Sequence, residues 1–213
     1  MALKSILDKI QRELVKKDKV REEIQADMRR ATRLSKQAIL FTHQNRFDDA
    51  KKLLVEAGDL LGRLKKVSRK HPDLVYAGLV DAAFQEYTEA QVLLGLVEKD
   101  QFVAPEEINV PLISFVLGLA DVIGELRRRA LDSLRDGDVD RSEKCLQLME
   151  HIYVELVAMD DAYLLIHGLR RKCDVARVLI ETTRGEVAIE TRRKSLETAI
   201  KRLERTIGRK TKV

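Results

Sequence analysis

The sequence predicts an all-α protein, and three observations carry that reading. Helix breakers are scarce, with three Pro and ten Gly in 213 residues. Charged residues make up 35% and aromatics 4%, with no Trp, a profile that favours long helices over sheets. Apolar residues recur at three- and four-residue steps along most of the chain, and nothing reads as a strand pair or a βαβ unit. With no repeat and no low-complexity linker, the expected architecture is one domain over residues 1–213, a bundle of about seven long antiparallel helices.

The first helix is expected from Ala2 to about Thr42. Ile6, Ile10 and Leu14, then Met28, Ala31, Leu34 and Ala38, mark its apolar stripe. Arg29, Arg30, Arg33 and Lys36 form a basic stripe on the same stretch. Such a stripe suits a phosphate backbone, and a solvated helix face would look the same. Asn45-Arg46-Phe47-Asp48 is a turn, and Asp48 or Asp49 can cap the next helix, expected to about Arg69. His71-Pro72-Asp73 ends it, since proline disfavours helix at the residue before it. A third helix is expected from about Asp73 to Glu98.

Pro105-Glu106-Glu107 has the composition of a helix start, proline in the first turn with acids at the positive end of the dipole. Pro111 restarts the pattern, and the next helix runs to about Arg135. Asp136-Gly137-Asp138 is a strong turn. A further helix ends near Met159, and Asp160-Asp161 opens another to about Arg184, with Gly185 as its C-terminal cap. In the last helix Leu196, Ile200, Leu203 and Ile207 form a seam suited to a partner helix or to the body of the same chain.

The net charge of +5 is uneven. From Arg170 to Val213 there are 14 basic and 6 acidic residues, a net +8 that leaves −3 for the rest. A basic C-terminal third is compatible with a polyanionic partner, although a solvated helix surface accounts for it equally. The two cysteines, Cys145 and Cys173, have no ligand spacing and fit a reduced, cytoplasmic protein. The first residues carry charges too early for a signal-peptide core, and no apolar run reaches the ~18 residues of a membrane span.

Several chemistries drop out. There is no Gly-x-x-x-x-Gly-Lys-Ser/Thr loop and no Gly-x-Ser-x-Gly elbow. His43, His71, His151 and His167 make no short metal-binding pair, and no Glu-x-x-His occurs, as carboxylate-bridged di-iron sites need.

Four acids remain. Glu86 and Glu89 are three apart, and Asp121 and Glu125 four apart, so each pair shares a helix face with Cβ atoms ~5–6 Å apart. Like charges so placed repel, the more so where water is excluded. Asp121 lies in a run rich in Leu, Ile, Val and Phe, where a carboxylate is costly unless paired or metal-bound. Ala82, Ala83 and Ala90 beside the first pair, and Gly118 and Gly124 beside the second, leave room for a helix, a metal or a substrate. Oxygen ligands without His or Cys select Mg²⁺ or Mn²⁺ over zinc. Arg128 and Arg129 fall near the face of Asp121 and Glu125, where they can clamp phosphate or neutralise the acids. Spacing alone leaves a metal site and an internal salt-bridge network both open.

From Gln85-Glu86-Tyr87-Thr88-Glu89-Ala90 through Pro105-Glu106-Glu107-Ile108-Asn109, then from Phe115 through Leu126 and Ala130 through Asp138, the chain resembles the translin family, which contains translin and its partner Trax. The likeness covers most of the chain, more weakly in the N-terminal helix. It implies an all-helical, translin-like subunit of a closed homo-oligomeric shell, an octamer, that binds single-stranded RNA and possibly DNA. Trax-type subunits carry acids for Mg²⁺-dependent endoribonuclease activity, and this chain is similar to that type, with Glu86 and Glu89 on its Glu-x-x-Glu pair and Asp121 and Glu125 on its Asp-x-x-x-Glu pair. The resemblance implies metal coordination by Asp121, Glu125 and Glu89, with Glu86 a ligand or a base orienting water. Val75 to Asp81 departs from the family, lacking the basic, histidine-rich character of translin's nucleic-acid contact region. RNA contacts are therefore expected from Arg29, Arg30, Arg33 and Lys36 first, and from Arg128 and Arg129 second. Two other readings remain: a nucleic-acid-binding assembly without catalysis, and an all-helical nucleoside-triphosphate pyrophosphatase, whose second acid pair would need another order and spacing.

Overall fold

A computed structural model describes residues 3–70, 77–159 and 165–210. Among them are six helices and no strand: α1 (Leu3–His43), α2 (Phe47–Lys70), α3 (Ala77–Lys99), α4 (Leu112–Arg135), α5 (Val139–Val157) and α6 (Leu169–Lys210). The all-α expectation holds, with fewer and longer helices than about seven. The chain divides into two compact units, Met1–Leu119 and Ala120–Val213, with the boundary inside α4.

In the first unit α1 packs on α2 and α3, and α2 packs on α3. The buried side of α1 begins only at Ile24 and continues through Met28, Ala31, Leu34, Ser35, Ala38, Ile39 and Thr42, at helical steps. Ser35 and Thr42 donate to the carbonyls of Ala31 and Ala38, so burying their hydroxyls leaves no donor unsatisfied. Before Ile24 the stripe of Ile6, Ile10 and Leu14 stays exposed. Asn45, with φ +58°, turns the chain out of α1. Asp48 and Asp49 lie in the first turn of α2 rather than ahead of it, and Asp49 accepts from Arg46 at 2.9 and 2.7 Å. α3 buries Ala83, Phe84, Tyr87, Thr88, Ala90, Val92, Leu93, Leu94 and Leu96. Those positions surround its axis, as a helix flanked by others requires. The expected break at His71-Pro72-Asp73 and helix start at Asp73 lie outside the described residues.

Pro105-Glu106-Glu107 does not begin a helix. Residues 105–109 form turns, with Glu107 Oε1 accepting from the Ala104 amide at 2.9 Å. Asn109 at φ +51° and Pro111 close the stretch before a helix can propagate. α4 starts there, the Phe115 amide donating to the Pro111 carbonyl at 2.9 Å. Gly118 lets α4 lie against α3: a Cβ there would sit 2.6 Å from the Gln85 carbonyl oxygen and 2.7 Å from Thr88 Cβ.

In the second unit α5 packs on α6. Gly137, at φ +78°, ends α4, and Asp138 caps α5, its side chain accepting from the Arg141 amide at 3.0 Å. The expected helix start at Asp160-Asp161 lies outside the described residues. The cap expected at Gly185 is absent, because α6 continues through it to Lys210. Leu169, Cys173, Ala176, Ile180, Thr183 and Val187 carry the buried stripe across that glycine. Beyond Val187 the seam of Leu196, Ile200, Leu203 and Ile207 is exposed, at 62%, 47%, 61% and 58%. No described helix is long and apolar enough to cross a membrane.

Two substitutions test these assignments by urea denaturation. Gly185 has ordinary helical backbone with nothing within 4 Å of an added Cβ. Gly185→Ala is expected to raise stability by about 0.5–1 kcal/mol, whereas at a left-handed cap it would lower it. Gly118→Val forces a branched side chain against the Gln85 carbonyl and is expected to cost about 1–3 kcal/mol.

Candidate functional site

The acids of α3 are half-buried. Glu86, 27% exposed, pairs with Lys36 of α1 at 3.2 Å, so one member of the basic stripe is already spent on an acid. Glu89, also half-buried, is likewise engaged. Thr88 between them is fully buried and donates to the Phe84 carbonyl at 2.8 Å. Asp81, earlier on α3, is held above the usual carboxylate range by burial. Ala83 and Ala90 are buried in packing, and Ala82 is exposed.

The acids of α4 sit in a different setting. Both carboxylate oxygens of Asp121 accept from Lys172 Nζ, at 2.6 Å for Oδ2. Glu125, half-buried, lies 3.8 Å from the exposed Arg128 of the same helix, and an ion pair open to water on one side contributes little to stability. Asp121 opens onto a cavity of about 510 Å³, whose lining includes Ala120, Gly124, Gly168, Arg171 and Lys172. Nothing lies within 4 Å of a Cβ placed on Gly124. Lys172 belongs to the first turn of α6, where Arg170 and Arg171 precede it and no acid is present.

The arginines after Glu125 divide by role. Arg127, which sequence reasoning passed over, is 21% exposed and ties α4 to α6. It donates to Thr182 Oγ1 at 2.9 Å, Thr183 Oγ1 at 2.6 Å and Glu186 Oε1 at 3.3 Å. Arg129 is half-buried, and burial pushes its pKa down. Arg128 faces solvent. On α1, Arg29, Arg30, Arg33 and Lys36 are all exposed. Arg30 pairs with Glu56 of α2 and Lys36 with Glu86. Arg29 and Arg33 carry no ion pair among the described residues.

Among the described residues, neither unit gathers three His, Cys, Asp or Glu side chains able to hold a metal ion. The donor chemistry still fits Mg²⁺ or Mn²⁺. Each pair supplies two carboxylates without thiol or imidazole, and Mg²⁺ is commonly held by one or two carboxylates, completed by waters and substrate phosphate. Lys172 is the local competitor for Asp121.

The sequence model of the Translin family matches residues 19–183. The chain belongs to the Translin family. The matched span holds all four acids and Lys172, and leaves out the exposed apolar ends of α1 and α6. AfC3PO has a similar structure, with a TM-score of 0.77 and 32% identity over 87% of this chain and 96% of that one. The AfC3PO complex with duplex RNA is similar too, at 0.76 and 31% over 87% and 96%. The structure of apo-NeC3PO gives 0.78 over 86% and 96%, and at 24% identity it speaks to the fold alone. An uncharacterized protein of Methanocaldococcus jannaschii is 29% identical over 192 residues, 90% of this chain and 85% of its own length.

The division among the arginines can be measured. Arg127→Met strips a half-buried network and leaves Glu186 short of donors, so it is expected to cost about 1–3 kcal/mol of stability. Arg128→Met is expected to stay within about 0.5 kcal/mol. Thermal melts at one protein concentration compare them.

Proposed function

We propose that this chain is a nucleic-acid-binding, metal-dependent endoribonuclease that works as a cytoplasmic homo-oligomer. The observation that carries the reading is the setting of Asp121. In a Translin-family chain with both acid pairs, this carboxylate lies beside a cavity of about 510 Å³ that also holds Arg171 and Lys172. An acid for a divalent cation and bases for a phosphate meet at one opening.

In this reading Asp121 and Glu125 of α4 hold Mg²⁺ or Mn²⁺, and Glu86 and Glu89 of α3 serve as the second carboxylate pair, Glu86 as ligand or as base orienting water. The bound ion would supply an activated water and a counter-charge for phosphodiester hydrolysis. The side chains do the rest. Arg128 neutralises Glu125, Lys36 neutralises Glu86, and Arg29 and Arg33, which have no ion pair among the described residues, offer guanidinium groups to a phosphate backbone. The substrate is single-stranded RNA, with single-stranded DNA as a further ligand. The AfC3PO complex adds duplex RNA to the ligands worth testing. The exposed apolar stretches of α1 and α6 support self-association, and the octamer is the size that the family resemblance implies.

A nucleic-acid-binding assembly without catalysis is favoured by one observation, that Lys172 already satisfies both oxygens of Asp121. Cleavage of end-labelled RNA, single-stranded and duplex, in Mg²⁺, Mn²⁺ or EDTA decides between the readings. The nuclease reading expects metal-dependent cutting. In folded Asp121→Asn/Glu125→Gln it should fall by more than the roughly 10–100-fold typical of removing an outer-shell partner, while salt-sensitive binding persists. Binding without cutting in any metal leaves the assembly reading.

A further inference from the structure

The geometry points to Lys172 as a cation that changes partners: it holds Asp121 while no divalent ion is bound, and holds the substrate phosphodiester in the adjoining cavity once the ion takes Asp121. The inference rests on the nuclease reading and names the residue that couples metal to substrate at that site.

Three features of the second unit support the exchange. The ion pair is half-exposed, with side chains 28% and 35% accessible, so water and ions reach it. A pair so exposed is weakly held, and a divalent ion brings twice the charge of an ammonium to the same oxygens. The cavity, of about 510 Å³, has room for a phosphate and its ribose, with Gly124 and Gly168 on its lining and Val175 and Leu179 giving it an apolar side. Finally, Arg170, Arg171 and Lys172 occupy the first turn of α6, the positive end of a 42-residue helix, with no acid among them. Cations there oppose the helix dipole. Asp121 relieves Lys172 only, and Arg171, on the same cavity, has no ion pair among the described residues. A phosphate anion would satisfy Arg171, a released Lys172 and the helix end together.

The exchange predicts opposite effects on metal and on turnover. Mn²⁺ is titrated calorimetrically into the full chain without RNA, for wild type, Lys172→Met, Lys172→Arg and Asp121→Asn. Removing the competitor should tighten Mn²⁺ about tenfold in Lys172→Met, as removal of an occluded state does, and leave Lys172→Arg near wild type. At saturating Mn²⁺, Lys172→Met should cut single-stranded RNA at least about tenfold more slowly, the order of one lost charge-assisted contact. Unchanged or weaker Mn²⁺ binding in Lys172→Met, or full-speed cutting at saturation, overturns the exchange. Loss of Mn²⁺ binding in Asp121→Asn shows that the metal site itself stands in either case. Mn²⁺ binding indifferent to Asp121→Asn removes the nuclease reading as well.

A second measurement uses unmodified protein, in case Lys172→Met does not fold. Acetylation of Lys172 is followed by peptide mass spectrometry as Mn²⁺ is added and then RNA. The exchange expects labelling to rise several-fold with Mn²⁺ and to fall again with RNA. Lys194, paired with Asp140 at 3.1 Å, should not respond. Labelling of Lys172 that ignores Mn²⁺ overturns the proposal.

Discussion

Asp121 is subject to the constraint that shapes the rest of this protein's chemistry: a carboxylate among apolar neighbours must have its charge met. It sits between Ala120 and Val122, both buried, on a helix whose inward face is Leu117, Ile123, Leu126 and Ala130. Lys172 meets the charge from another helix, and the same rule holds at two further charges that leave open solvent. Glu86 is met by Lys36, and Arg127 by two threonine hydroxyls and Glu186. These contacts cross between helices, so each fixes a rotation of one helix against another as well as a charge.

Much of the fold could be read from the residues because its signals are local. The stripe from Met28 to Ala38 is buried as its spacing implies, and Asp136-Gly137-Asp138 delivers the turn, the left-handed glycine and the cap. Gly185 misled because glycine is both the favoured helix cap and a tolerated helix interior residue. The unbroken steps Cys173, Ala176, Ile180, Thr183 and Val187 contained the corrective signal. Pro105-Glu106-Glu107 misled because a good first turn says nothing of whether a second can follow, and Asn109 and Pro111 forbid it. Ile6, Ile10 and Leu14 show that a helical stripe fixes which residues share a face, and not what covers that face.

The candidate site was legible only in part. Residue type and spacing singled out the four acids and the hard-cation chemistry, and the translin resemblance gave them roles. Lys172 was invisible as a partner, since it lies 51 residues from Asp121 and sits in a basic stretch with many equivalent candidates. Arg127, Arg128 and Arg129 are adjacent in sequence, yet one is woven into packing, one faces water and one is half-buried. A helix turns 100° per residue, so three neighbours meet three environments.

The first half of α1 has a mechanical consequence. α1 is 41 residues long, about 60 Å at 1.5 Å per residue. Only the portion from Ile24 onward is sunk into the first unit, and the earlier residues are almost all exposed. The leading half is therefore a rigid lever of about 30 Å, with a greasy edge at its tip in Leu3, Ile6, Leu7 and Ile10. Whatever grips that edge feels every rotation of the packed half, because a helix transmits torque along its length where a loop would absorb it. The tip and the body of α1 are thus one continuous helix, and the basic stripe of Arg29, Arg30, Arg33 and Lys36 lies on it.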